Sequence, residues 1–233
     1  MEIKNEIEKN TISEEVKNIR YLDSKYSMKI YDYFIENENQ KEFICIIIDY
    51  FPNGNLESLI YNKNILNSRI IWRIFIQMIL GIKSFHERDM ALQNLCPKNI
   101  FIDDQNNIKI GGYGLTLDFT DENYQNSLPL YDSPEVLNGG NYTKESDMWS
   151  LGCILYELLC KKKPFLTLDS IFHYYYQIND NWEDDFKYIL SKLLCSERTR
   201  FLINRLLIDI RFKKKLIETN LFDEIIKNNL KGK

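Results

Sequence analysis

The sequence predicts an α+β fold, with a small β-containing N-terminal part and a larger, mainly helical C-terminal part. Three observations carry this reading. Two runs rich in β-branched and aromatic residues, 28–35 and 42–51, both lie in the first quarter of the chain. A long amphipathic pattern at 67–86 follows them. Further on, 146–159 is apolar almost all round, as in a helix buried at the centre of a domain.

Taken in order, 13–22 reads as a helix. Ser13 stands as its N-cap, and Val16, Ile19 and Leu22 recur at helical spacing. The two β-rich runs are separated by the polar stretch 36–41, which reads as a hairpin loop. Pro52-Asn53-Gly54-Asn55 is a turn and the natural hinge between the two parts. On 67–86 the residues Ile71, Ile74, Phe75, Met78, Ile82 and Phe85 form one face. Short apolar segments at 99–102 and 108–110 flank the polar turn 103–107, a second hairpin-like unit. The stretch 116–132 shows no period and reads as a long functional loop. Helices are expected at 170–178, 184–194, 203–208 and 221–230. The division that follows is 1–51 and 52–233, together forming one domain.

Composition narrows the function classes. The chain has 233 residues, 44% hydrophobic and 27% charged, which suits a globular domain able to bury a core. With Lys+Arg 30 against Asp+Glu 34, the net charge of -4 argues against nucleic-acid or anionic-membrane partners. No apolar run approaches the roughly 20 residues of a membrane span. Residues 1–10 alternate charges without an apolar signal core, so secretion is not expected. The five cysteines, Cys45, Cys96, Cys153, Cys160 and Cys195, are scattered and suit free thiols in a reducing compartment, cytoplasm or nucleus. No zinc spacing is present, and the only histidines are His86 and His173, so no metal site is expected.

The stretch 85–115 resembles the catalytic core of eukaryotic protein kinases. It reads Leu92-Gln93-Asn94-Leu95-Cys96-Pro97-Lys98-Asn99, where the family shows His-Arg-Asp-Leu-Lys-Pro-x-Asn. Lys109-Ile110-Gly111-Gly112-Tyr113-Gly114 then stands where the family shows Asp-Phe-Gly. Ser133-Pro134-Glu135 resembles the close of the activation segment, and Ser146-Asp147-Met148-Trp149 the start of the central helix. Arg200 matches the late arginine, Ile48-Asp49-Tyr50 the gatekeeper and hinge, and Glu15 the regulatory-helix glutamate. Phrasing at 133–165 is most similar to the NIMA-related branch of Ser/Thr kinases. The resemblance implies a protein kinase-like two-lobe fold with a truncated β N-lobe and a mainly helical C-lobe.

Position by position, the resemblance also implies altered chemistry. Asn94 stands at the family's proton-accepting Asp, and an amide is not a usable base near neutral pH. Cys96 replaces a phosphate-steadying Lys. Gly112 replaces the metal-holding Asp and offers no side-chain oxygen to Mg²⁺. Asn99, the second metal ligand, is kept. Leu128 replaces a Thr that bonds the lost pair, and Gln93 replaces the Arg that clamps an activation-loop phosphate. The structural set is retained: Glu135 with Arg200 as an ion pair, and Asp147 as a bond to the catalytic loop. Gly54 is the first glycine, so the glycine-rich phosphate cover is expected to be absent; Met1-Glu2-Ile3-Lys4 faintly resembles the Val-Ala-Ile-Lys strand, with Lys4 partnering Glu15. Of the remaining residues, Asp89 is the nearest acid that could serve as a displaced base, and 173–176 is an aromatic run suited to docking.

The expectation is therefore a chain that is not an enzyme: a pseudokinase acting as a protein-binding scaffold or allosteric regulator. No cofactor is expected, with ATP and Mg²⁺ reserved for the alternatives, a residual Ser/Thr kinase or a non-catalytic nucleotide switch. The expected partner is another protein, an active kinase among the candidates. The incomplete N-terminal sheet exposes an edge at which such a partner could pair.

Overall fold

The computed structural model describes residues 2–3, 5–22, 24–39, 41–62, 66–111 and 129–221. Among them a three-stranded antiparallel sheet and one helix precede a helical body that carries a second, two-stranded sheet. The α+β expectation therefore stands, with a small antiparallel N-lobe and a mostly helical C-lobe.

The N-lobe begins with β1 (Glu2–Ile3) and α1 (Glu6–Arg20). Helix α1 starts well ahead of Ser13, which is interior rather than a cap. The reason is Ile12, which joins Val16 and Ile19 in one buried stripe and draws the preceding turns into the helix. Lys9 ties α1 to Glu42 at 3.1 Å, and Arg20 meets Asp32 at 3.3 Å. Strands β2 (Ile30–Glu38) and β3 (Lys41–Ile48) pair from Ile30↔Ile48 out to Glu38↔Lys41. The polar stretch 36–41 is thus mostly strand, not loop. Backbone pairing is indifferent to polarity at an exposed tip, and Asn39 takes the left-handed conformation (φ 50°) that a two-residue turn requires. Strand β3 stops at Ile48 rather than reaching Phe51, because the chain turns there and the Gly54 N–H bonds the Phe51 carbonyl at 3.1 Å. Among the described residues β1 pairs with Glu42 and Phe43, giving the order β1-β3-β2.

Helix α2 (Leu56–Asn62) starts on Asn55, whose side chain accepts from the Ser58 N–H at 3.0 Å. Helix α3 (Ser68–His86) has the predicted face, and Asn67 caps it by accepting from the Ile70 N–H at 2.9 Å. Asn67→Ala is expected to cost about 1 kcal/mol in a denaturant melt, and Asn67→Gly only a few tenths. Gly81 lets α3 approach the second sheet: a Cβ there would lie 2.7 Å from Ile110 Cδ1 and 3.0 Å from the Tyr26 carbonyl oxygen. That sheet pairs β4 (Ile100–Ile102) with β5 (Ile108–Ile110) around Asp103, which accepts from the N–H groups of Gln105 and Asn107.

After α4 (Pro134–Leu137), helix α5 (Lys144–Cys160) runs through the centre, capped by a reciprocal Thr143–Ser146 box. Trp149 stacks on Phe165 at 5.1 Å, and Trp72 on Phe186 at 4.2 Å. The helix expected at 170–178 is instead α6 (Leu168–Phe172). Tyr174 is left-handed (φ 57°) and the Tyr175 N–H closes on the Ser170 carbonyl at 2.8 Å, which ends the helix. The aromatic run 173–176 therefore turns rather than coils. Tyr176 packs inward on Tyr156 and Phe165, while Tyr175 is exposed. Helices α7 (Asp184–Leu193) and α8 (Ile203–Ile208) match expectation. Helix α9 (Ile210–Glu218) holds the basic run 211–215, and there Phe212 is buried and Lys215 bonds both Glu183 and Glu218 at 3.1 Å. Of the helix expected at 221–230 only Leu221 is described. No helix among the described residues is long and apolar enough to cross a membrane.

Candidate functional site

Helix α3 ends at His86 and delivers the chain into the loop 87–99. One carboxylate organises that loop. Asp147, on the first turn of α5 and 2% exposed, accepts the Leu92 N–H at 2.9 Å, and the same oxygen lies 2.8 Å from His86 Nε2. Leu92 is buried beneath it, and Gln93 sits left-handed (φ 65°) on the exposed side. Asn94 is half-buried; its carbonyl accepts from the Asn99 side-chain amide at 3.0 Å. Asn99 is itself buried, and its carbonyl accepts the Gly111 N–H at 2.8 Å, which joins the loop to the end of β5. Asn94, Cys96 and Asn99 are thus brought together on one loop. Gly112, Tyr113, Leu128 and Lys4 lie outside the described residues, and of Glu15 only the backbone position in α1 is described.

The chemistry of the loop follows from its burial. Burial pushes the Cys96 thiol up to about 11, so near neutral pH it is a protonated, passive group and not a nucleophile. Asp89 fails as a displaced base. It is exposed and bonds Lys144 at 2.5 Å, and that bond and charge hold its carboxyl below the usual range, the wrong direction for accepting a proton.

A second site element is the ion pair behind the loop. Arg200 meets Glu135 with both guanidinium nitrogens, one contact at 3.1 Å, and also bonds the carbonyls of Glu145 (2.8 Å) and Cys195 (2.9 Å). Its guanidinium carbon lies 5.1 Å from the Trp149 ring centroid. Burial raises the Glu135 carboxyl, but the Arg200 bonds and charge outweigh it and hold the group below its ordinary value.

Sequence reasoning missed a third cluster. Glu157 of α5 is fully buried and accepts from the hydroxyls of Tyr61 on α2 and Tyr131 (2.5 Å). Burial, reinforced by the Glu157 carboxylate, raises both phenols well above their ordinary value. No local pattern signals this trio, since Tyr61 and Glu157 lie far apart in sequence.

Between the sheet and the helical body lies a cavity of about 660 Å³, lined by Ile46 to Phe51, Gly54, Asn55, Ser58 and Phe101. Phe51 and Phe101 stack across it at 4.9 Å. Its walls are largely apolar, and among the described residues its one charged lining residue, Asp49, is negative and is engaged by the Tyr31 hydroxyl at 2.6 Å. Such a space fits a flat apolar base. Among the described residues it offers no cation to phosphates. Nor do the groups present fit a magnesium ion: no cluster of three acidic, His or Cys side chains able to hold a metal occurs among the described residues.

A hinge, a loop anchored by Asp147 and a buried Glu–Arg pair at the foot of a central helix define a kinase-type domain. The protein kinase domain family matches residues 1–212, and the chain belongs to it. Among its relatives, serine/threonine-protein kinase Nek2 of Homo sapiens is 32% identical over 178 residues, 71% of this chain and 40% of the relative. The probable serine/threonine-protein kinase nek2 of Dictyostelium discoideum is 29% identical over 69% of this chain and 40% of its own length. Serine/threonine-protein kinase PLK2 of Mus musculus is 29% identical over 69% of this chain and 24% of its own. The chain thus spans about two fifths of the length of the first of these relatives. The Nek2 matches agree with the NIMA-related likeness read from 133–165. They also correct the expectation that the chain is not an enzyme: the family and these relatives are named as kinases, which places the chain in a family of enzymes.

Proposed function

We propose that this chain is a Ser/Thr kinase-family domain that docks a protein partner, as a scaffold or an allosteric regulator. The observation that supports this is a division of labour among residues. Groups that hold the domain in shape, Glu135 with Arg200 and Asp147 with His86 and Leu92, are all engaged. The positions that would handle phosphate carry Asn94, Cys96 and Gly112. Docking draws on the first set and makes no demand on the second, so the role is independent of turnover.

A second reading, Ser/Thr phosphotransfer through an atypical site, is favoured by the relatives' names and by the ordered loop on which Asn94 and Asn99 are cross-linked. ATP and Mg²⁺, which the family uses, belong to that reading. Chemical cross-linking of the tagged protein in its native cells, followed by light scattering of the purified complex, tests the docking role. A single partner in fixed stoichiometry is the expected result. A lone monomer that phosphorylates free Ser/Thr peptides would overturn docking in favour of the second reading. Localisation inside the cell, in cytoplasm or nucleus, goes with both readings.

A further inference from the structure

Beside the first half of α3, a cavity of about 370 Å³ is lined by Lys25, Arg69, Ile70, Arg73, Gln77, Asn107, Thr219 and Leu221. Three of these residues are cations and none is an acid, in a chain of net charge -4. Arg69 and Arg73 are one turn apart on α3, so they present to the same side of the helix. The floor is a rigid polar network. Gln77 is 1% exposed; its amide nitrogen donates to Asn107 Oδ1 at 3.1 Å and its oxygen accepts the Ile108 N–H at 3.0 Å. Arg73 donates to that same Asn107 oxygen at 3.2 Å, which orients its guanidinium along the floor. Lys109 Nζ bonds the Lys25 carbonyl at 2.7 Å, which tethers the Lys25 backbone to β5.

We infer that this cavity is a binding site for a phosphate monoester. Planar guanidinium forks match phosphate oxygens, and a dianion of about -1.5 to -2 charge at neutral pH suits a cavity lined by Arg69, Arg73 and Lys25, the last with its Nζ over the Tyr26 ring. The space is larger than a bare phosphate, and Ile70 and Leu221 supply apolar wall for the carbon that carries it. Its chemistry therefore suits a phosphorylated serine or threonine side chain of a partner protein. Free phosphate shares that chemistry. The site is separate from the cleft at Phe51 and Phe101 and does not rest on the docking reading above.

The test uses the full chain at fixed ionic strength, with N-acetyl-phosphoserine amide, its unphosphorylated form and inorganic phosphate as probes, followed by NMR titration. The phosphorylated amide is expected to bind at least about tenfold more tightly than the unphosphorylated one, a difference of about 1.4 kcal/mol. Arg69→Gln/Arg73→Gln should erase that preference while lowering the melting temperature only slightly, because both side chains are exposed and Gln77 still bonds Asn107 Oδ1 when the Arg73 bond is lost. Arg73→Lys should lose most of it, since charge without the fork is retained. Inorganic phosphate binding as tightly as the amide would identify free phosphate as the source. Equal binding of the two amides with no binding of inorganic phosphate, or undiminished binding by the double variant, would overturn the site.

Discussion

Arg200→Ala is expected to destabilise the domain by about 3–5 kcal/mol, because it strands the half-buried Glu135 carboxylate without its counter-charge. The same change frees the carbonyls of Glu145 and Cys195 and removes the cation over Trp149. The pH dependence has a definite sign. Folding holds the Glu135 carboxyl below its ordinary value of 4.5, so the pair's contribution is complete above that value and is lost as pH falls through the lower folded value. The wild-type protein should therefore lose stability on acidification below about pH 4.5 with a component that Arg200→Ala lacks. Urea melts of both proteins between pH 3 and 7 measure it. A loss under about 1 kcal/mol at pH 7 would mean that the pair is replaceable by solvent.

Asp147→Ala should cost about 2–4 kcal/mol, since it leaves the buried Leu92 N–H and His86 without their shared acceptor. Its effect is local as well as global. Leu92 leads directly into Asn94, so hydrogen exchange at 92–94 should accelerate more than exchange in α3, which is held by its own capping and packing. Asp147→Asn keeps one acceptor oxygen and should lose about half as much. Uniform acceleration across α3 and the loop would show that Asp147 serves the core as a whole and not the loop.

How much of this was legible in the sequence depended on range. The face of α3 and its Asn67 cap are local patterns, and the structure shows them where the spacing placed them. Helix α5 was read from its apolar run, but its start at Lys144 depends on the Thr143–Ser146 box, a weaker sequence signal than the Ser/Thr-x-x-Glu form. Helix α1 was started too late because its first turns are charged and gain their order from Ile12 packing inward. The run 170–178 differs from the helix expected there because a contiguous aromatic stretch does not announce the left-handed Tyr174 that ends α6. At the site, the family resemblance implied which groups stand at Asn94 and Cys96 in other members. It could not give the depth of Cys96 or the Lys144 bond that disposes of Asp89. The Tyr61–Glu157–Tyr131 trio and the Phe51–Phe101 stack join segments that are remote in sequence, so only the folded chain shows them.

The central claim is that the frame of the kinase domain is intact, while among the described residues the cleft presents no cation to phosphates and no cluster of side chains able to hold magnesium. The most direct measurement is a thermal shift comparing adenosine, ATP and ATP with Mg²⁺ at millimolar concentration, since a ligand of the native state raises stability by mass action. The account predicts equal, small shifts for adenosine and ATP and no gain from Mg²⁺. A larger shift with ATP than with adenosine, increased again by Mg²⁺, would contradict it.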